Sequence, residues 1–238
     1  MFYTANRNRA RLKRLRTAMR LFSDGSEAYS RARGKHALSD RRFETIDCVF
    51  PFFMSCRTSL YGGATLTFGH QLSDAAKCLR GALEAAFYAY RVFSEPAAWE
   101  RWATRPSASR LRTSAGLGEA RKQRSAVGRE FSVPTIARNF PSDAARLASA
   151  AIDLYEELID VGGHFNEPVF QASTEMIVHE RVAEIRYRLI GGDDREIGEA
   201  LDRLATTAGM CLRIFALAFA EFWDERLIDR IGYFTTRK

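Results

Sequence analysis

Arg80 and Glu84 are the first residues in this sequence whose types and spacing can do chemistry. They lie four positions apart in an apolar-periodic segment, so on a helix their side chains lie one turn apart and can form an ion pair. A carboxylate that holds a guanidinium in place can present this cation to a phosphate or to an acidic partner. The alternative is an ordinary ion pair on the surface of one helix.

His164 and Asn166 form the second candidate, because they follow Gly162-Gly163 directly after a predicted helix. A histidine just beyond the C-terminal end of a helix lies near the negative end of the helix dipole, which favours its protonated form. Glu157 and Asp160 precede it on the same helical face, but no fourth ligand accompanies them, so we predict no metal site. The alternative is a structural loop with a hydrogen-bonded histidine.

Positive charge is concentrated near the N-terminus. Residues 1–42 hold 12 Lys or Arg and 3 Asp or Glu, a balance of +9, whereas the other 196 residues hold 24 basic and 26 acidic groups. A second basic stretch, Arg101–Arg138, has nine basic residues against two glutamates. Basic segments attract nucleic acid and other polyanions because binding releases counterions. The candidate contacts are Arg9, Lys13, Arg16, Arg20, Arg121 and Arg124. The alternative is a solvated helix face.

Several common functional motifs are absent from the sequence. It has no G-x-S-x-G nucleophile turn, no dinucleotide fingerprint and no phosphate-binding loop, so we predict no cofactor. The four cysteines form no C-x-x-C pair and are expected to be reduced core residues, as is typical of a cytoplasmic protein. The apolar segment Met210–Trp223 is too short to span a membrane, so no membrane partner is expected. The use of 31 Arg against 5 Lys favours a bacterial origin.

Apolar residues that recur every three or four positions predict an all-α protein. The segments that carry this period are 5–22, 40–54, 64–93, 97–103, 119–129, 143–161 and 194–229. We expect Ser23–Ser26 to end the first helix, Pro51 to kink the second or end it early, and Tyr61-Gly62-Gly63 to form a break before the third. Residues 105–118, rich in Ser, Thr, Gly and Arg, predict a mobile basic loop.

Residues 173–190 do not follow the helical period. Between Ala183 and Leu189 apolar residues alternate with charged ones, which is typical of a half-buried strand, and a partner near Thr174–Val178 would complete a hairpin. Continuous helix is the alternative. The sequence as a whole therefore predicts one helical domain over residues 1–238. This is a bundle of six to eight helices with room for one small β-hairpin near 173–190, and the basic segment 1–42 packs on it or extends from it.

A combination of three features resembles a known family. Arg80 and Glu84 on a long central helix precede a tryptophan-bearing helix, and a later helix ends in the histidine-containing turn Val161–Asn166. Over about residues 60–225 this arrangement resembles the DUF5677 group of bacterial helical proteins, which is distantly similar to HEPN domains. The resemblance implies a helical bundle, frequent homodimers and, in some members, ribonuclease activity in toxin or phage-defence systems. Those ribonucleases carry R-x4–6-H on a late helix, a spacing that is absent at His164.

Two functions fit these observations. The preferred one is a non-enzymatic interaction or accessory protein, a homodimer whose basic segment 1–42 contacts an acidic partner, either RNA or a protein. The alternative is a HEPN-like ribonuclease or RNA-binding protein that uses Arg80, Glu84 and His164 in one cleft. The enzyme requires His164 within hydrogen-bonding reach of the helix that carries the other two residues.

Overall fold

The computed structural model describes residues 8–35, 41–106, 117–162, 174–179, 182–187 and 193–236. Within these ranges the chain forms nine α-helices and one two-stranded antiparallel sheet, so the mainly all-α class is confirmed, with one helix more than expected. The helices are α1 (Arg9–Gly34), α2 (Arg41–Phe68), α3 (Leu72–Ser94), α4 (Ala97–Ala103), α5 (Leu117–Glu130), α6 (Val133–Ala137), α7 (Ala145–Gly162), α8 (Asp194–Phe219) and α9 (Glu225–Thr236). The strands are β1 (Thr174–His179) and β2 (Val182–Tyr187). No helix in the described ranges is both long and apolar enough to cross a bilayer.

Helix α3 is the centre of the bundle, since α2, α4, α6, α7 and α8 all pack against it. Its inward side is built largely from alanine and leucine, and the small alanines allow neighbouring helices to approach closely. A second row of α3, formed by Arg80, Glu84 and Tyr88 at successive turns, is only half-buried. The central position of α3 therefore places these polar groups at the junction of several helices.

Helix α2 continues through two positions where the sequence predicts an interruption. Pro51 lies inside the helix, and the Tyr61-Gly62-Gly63 segment does not end it. A Cβ atom at Gly63 would lie 3.0 Å from Cδ2 of Leu79, so this glycine allows α2 and α3 to approach closely instead of breaking the helix. The actual break follows Phe68, where His70 adopts a left-handed φ of 60°.

Helix α1 also continues through its expected stop at Ser23–Ser26. A Cβ atom at Gly25 would lie 2.9 Å from Cζ2 of Trp223, so Gly25 is a point of close contact between α1 and the segment after α8. One turn later, the ring of Tyr29 stacks on that of Phe50 with centroids 3.9 Å apart. Tertiary packing therefore overrides the local preference of these residues for a turn.

The predicted helix 194–229 is two helices, because the chain turns after Phe219 and restarts at Glu225. Side chains cap the start of the first of these helices. The Asp193 carboxylate accepts hydrogen bonds from the backbone N–H groups of Arg195 and Glu196, and the Glu196 carboxylate accepts one from the Asp193 N–H. This capping box satisfies the exposed donors of the first turn and fixes the start of α8.

The hairpin prediction is confirmed, and the alternative of continuous helix over 173–190 is wrong. Strands β1 and β2 pair antiparallel, with Thr174 opposite Tyr187 and His179 opposite Val182. The basic loop predicted over 105–118 falls largely on residues 107–116, which lie outside the described ranges.

Candidate functional site

A groove of about 240 Å³ lies between α2, α3 and α4. Helix α2 lines it with Pro51, Phe52 and Ser55, helix α3 with Gly81, Glu84, Ala85 and Tyr88, and helix α4 with Trp99 and Trp102. We call it the aromatic groove. Pro96 and Ala97 begin α4 directly after α3 ends, and this short connection folds the two tryptophans back beside α2.

The walls of the aromatic groove meet at right angles. Phe52 is almost fully buried, and its ring is nearly perpendicular to those of Tyr88 (87°) and Trp99 (88°). Its ring centroid lies 5.0 Å from that of Trp102, with an angle of 72° between the planes. The two tryptophan rings lie side by side, with centroids 5.6 Å apart and planes within 20°. The groove is therefore a corner of aromatic faces.

A guanidinium of the chain itself occupies part of this aromatic surface. The Cζ atom of Arg105 lies 3.8 Å from the ring centroid of Trp102, within the range of a cation–π contact. Its Nη1 also donates a hydrogen bond of 2.6 Å to the backbone carbonyl of Trp102. The tryptophan face thus already accepts a planar cation at the rim of the groove.

Arg80 and Glu84 form the predicted ion pair, with a long separation. Nε of Arg80 lies 3.6 Å from Oε1 of Glu84, and this buried Nε has no hydrogen-bond partner among the described residues. The same oxygen accepts a hydrogen bond of 2.9 Å from the Tyr155 hydroxyl on α7. The sequence pattern does not assign Tyr155 to the site, because its place on the apolar stripe of α7 is typical of a core residue.

The tyrosines around Glu84 are held in their neutral form. Burial raises the pKa of Tyr155 far above its usual value, and the negative charge of Glu84 together with their hydrogen bond raises it further. Burial likewise raises the pKa of Tyr88, and Glu84 is the charged neighbour with the largest effect on it. Both hydroxyl groups therefore stay protonated and able to donate hydrogen bonds at neutral pH.

His164 and Asn166 lie outside the described residues, so their predicted place beside Arg80 and Glu84 stays a prediction. The end of α7 can be located. A Cβ atom at Gly162 would lie 2.6 Å from Cβ of Ala76 and 2.8 Å from the backbone N of Lys77. The C-terminal end of α7 therefore presses on α3 about one turn before Arg80.

A row of basic residues runs along the outer face of α1. Arg9, Lys13, Arg16 and Arg20 are exposed and follow helical spacing, so they share one face, which we call the α1 stripe. None of the four forms an ion pair with a described residue. In contrast, Arg11 of the same helix pairs with Asp202 at 2.8 Å. The stripe is therefore a set of positive charges that no described carboxylate pairs with, on a helix that packs against α2, α8 and α9.

The two other predicted anion contacts, Arg121 and Arg124, lie on α5 and are also exposed. Neither forms an ion pair within the described ranges. Helix α5 packs against α6, whereas α1 packs on the other helices named above, so the two basic surfaces belong to different parts of the bundle.

Residues suited to metal or thiol chemistry do not form a site in the described ranges, where no three His, Cys, Asp or Glu residues cluster as metal ligands. Glu157 instead pairs with Arg203 at 2.7 Å. Cys56 and Cys211 are free and fully buried, which confirms a core role for these two, while Cys48 and Cys78 are only partly buried. Burial and a hydrogen bond with Cys211 hold the pKa of the Cys56 thiol well above its usual value.

Comparisons of the chain with protein-family models, with curated proteins and with solved structures find no match. The fold, the aromatic groove and the two basic surfaces are therefore the basis for any statement of function, and the resemblance to HEPN-like proteins stays an expectation.

Proposed function

We propose that this chain is an interaction protein that binds an acidic partner through the α1 stripe. The observation that carries the proposal is the set of four exposed basic side chains on one helix face, none of them paired with a described acidic residue. A solvated face of an ordinary helix commonly includes charges of both signs, which compensate each other at helical spacing. A row of one sign instead creates a positive potential that attracts polyanions.

The opposite face of α1 packs on the bundle and so holds the helix that carries the stripe in a fixed position. Leu15, Ala18, Leu21 and Phe22 of this helix are buried against the bundle, and Arg11 is tied to Asp202 of α8. Arg9 and Arg20 are eleven positions apart, so the stripe is about 16 Å long. A rigid array of this length can contact several phosphates of one nucleic-acid strand, whose charges are about 3.4 Å apart in B-form DNA.

The absence of aromatic residues from the stripe indicates how it would bind. Contacts from Arg and Lys to phosphates fix position without reading bases, whereas single-strand platforms use stacked aromatic side chains. We therefore expect binding that depends on charge density and salt and is nearly independent of nucleotide sequence. An acidic protein would satisfy the same charges.

The test is fluorescence anisotropy with a labelled single-stranded RNA of mixed sequence, and with polyglutamate as a second probe. For RNA we expect the logarithm of the association constant to fall against the logarithm of salt concentration with a slope of about −3, since four contacts contribute about −0.7 each. Changing Arg9, Lys13, Arg16 and Arg20 together to Gln should remove most of the affinity for either probe.

The matched control changes Arg121, Lys122 and Arg124 of α5 to Gln, which removes a similar amount of exposed positive charge from another surface. This control should retain most of the wild-type affinity. Equal binding by the wild type and the α1 variant would refute the proposal, and loss in the α5 variant alone would move the binding surface to α5. Circular dichroism checks that both variants keep their helical content.

The ribonuclease alternative rests on the Arg80–Glu84 pair beside the aromatic groove and on the contact of the α7 end with α3. It predicts that the same RNA is shortened during incubation and that His164→Ala and Arg80→Ala abolish the shortening. RNA that is bound but stays intact would support the interaction protein.

A further inference from the structure

We propose that the aromatic groove binds a small organic cation of the alkylammonium class, with Glu84 as its counter-ion. This site is separate from the α1 stripe, which attracts the opposite charge, so the inference goes beyond the function proposed above. It depends on three properties of the described residues: the faces of the rings, the charge of the lining and the shape of the space.

The ring faces supply the attraction. Aromatic faces carry negative electrostatic potential, and tryptophan binds cations more strongly than tyrosine or phenylalanine. Phe52 stands perpendicular to Trp99 and Tyr88, so the groove offers aromatic surfaces on more than one side. The guanidinium of Arg105 lies 3.8 Å from the centroid of Trp102, so one of these rings already contacts a cation.

The charge of the lining has the sign that a cation needs. Among the described residues that line the groove, Glu84 is the one charged side chain. The guanidiniums of Arg80 and Arg105 lie beside the lining, the first near Oε1 of Glu84 and the second on the face of Trp102. Oε1 of Glu84 accepts from Tyr155 and faces Arg80, while its second oxygen, Oε2, accepts no hydrogen bond from a described residue. This oxygen can therefore receive an ammonium group. The Tyr88 hydroxyl, which also has no described partner, can bind a polar tail.

The shape of the space disfavours a stacked nucleobase. A base between two rings needs about 3.5 Å on each side, or about 7 Å between the rings, whereas the centroids of Trp99 and Trp102 are 5.6 Å apart. A compact ammonium group needs no parallel plates, and a volume of about 240 Å³ suits a small head group.

The experiment uses the full chain and two probes of nearly equal shape. Choline carries a quaternary ammonium, and 3,3-dimethylbutan-1-ol replaces its nitrogen with an uncharged carbon. Trp99 and Trp102 report binding through their fluorescence, and sodium chloride at matched concentration controls for ionic strength. We expect a saturable fluorescence change with choline and at least about tenfold weaker binding of the uncharged isostere.

Two variants test the roles of the lining residues. Glu84→Gln should lower the affinity for choline by about tenfold or more and remove the preference over the isostere. Trp102→Phe, which keeps a ring, should lower it several-fold. The matched control is Glu100→Gln, which changes an exposed glutamate of α4 outside the groove and should bind choline like the wild type. Thermal unfolding checks that each variant is folded. If Glu84→Gln does not fold, Trp102→Phe still tests the proposal.

The proposal is overturned if choline produces no saturable change, if the isostere binds equally well, or if Glu84→Gln and Trp102→Phe both bind choline like the wild type. Tighter binding of adenosine than of choline would also overturn it, in favour of a base site. Loss of choline binding in the α1 stripe variant would show that the two sites are not separate. RNA binding and choline binding are measured independently, so failure of one proposal does not affect the other.

Discussion

At the residue scale, glycines inside helices of this protein have two different roles that substitution can separate. Gly25 faces Trp223 and Phe53, where an added Cβ would lie 2.9 and 3.3 Å from ring atoms. An added Cβ at Gly128 of α5 would have no atom of another described element within 4 Å. Both positions are helical, so alanine improves the backbone propensity at each of them.

We therefore expect opposite effects on stability. Gly25→Ala should lower the free energy of unfolding by about 1–3 kcal/mol, because the extra carbon forces the Trp223 ring to move. Gly128→Ala should leave it unchanged or raise it by up to about 1 kcal/mol. Urea unfolding followed by circular dichroism measures both, and a stabilising Gly25→Ala would show that the contact with Trp223 is loose.

At the residue scale, contacts within one helix could be predicted from the sequence, and contacts between helices could not. Arg80 and Glu84 were identifiable as a pair because their spacing of four is a local property of one helix. Tyr155 was not, since its contact with Glu84 depends on how α7 packs against α3. Turn-forming residues at 23–26 and at 61–63 predicted helix ends that packing against Trp223 and Leu79 removes.

At the element scale, a charged network joins α3, α4 and α5. The Glu130 carboxylate accepts hydrogen bonds from Arg101 of α4 at 2.6 Å and from Arg91 of α3 at 2.9 Å, and both arginines also bind Glu95. The hydrogen bond from Arg101 and the one from Arg91 hold the pKa of Glu130 below its usual value, against the opposing effect of burial. The network fixes α4, and with it the two tryptophans of the aromatic groove.

This network makes stability depend on pH in a predictable direction. A carboxyl group whose pKa is lowered by folding contributes stability above its unfolded value of 4.5, and this contribution is lost as the pH falls through the lower folded value. Glu130→Gln should cost about 1–2 kcal/mol at pH 7, and the difference from the wild type should shrink below about pH 4.5. Glu119→Gln, an exposed control on the same helix, should show little cost at any pH. A difference that stays constant with pH would mean that the charge of Glu130 contributes nothing.

Helix boundaries and helix existence were predictable to different degrees. The helix 97–103 was predicted with its observed ends, and the hairpin strands followed from alternation in the sequence. The long C-terminal segment was predicted as one helix because apolar spacing continues across the turn after Phe219. Periodicity reports which face is apolar, but the point at which a chain turns back depends on the surface it must cover.

At the scale of the whole molecule, the homodimer stays a proposal. Exposed aromatic residues of α2 offer a surface through which two chains could pair. Tyr61 and Phe68 are 47% and 42% exposed and lie seven positions apart, two turns along one face of α2. We expect a dimer of about twice 26.9 kDa by light scattering after size-exclusion chromatography. Changing both residues to Glu should give the single-chain mass, while Tyr233→Ser, a control at an exposed aromatic of α9, should not. A wild-type protein with the mass of one chain would contradict the dimer.

The contact of Gly162 with α3 has a consequence for how this protein tolerates changes in length. Helix α7 contacts α3 at two points seven residues apart. The Tyr155 hydroxyl donates a hydrogen bond to Glu84, and the backbone of Gly162 lies close to Ala76 and Lys77. One residue inserted between these points would rotate one of them by about 100° out of phase with the other. An insertion before Ala145 would leave both contacts in place. Natural variation in chain length should therefore accumulate ahead of this helix and be excluded from its last two turns.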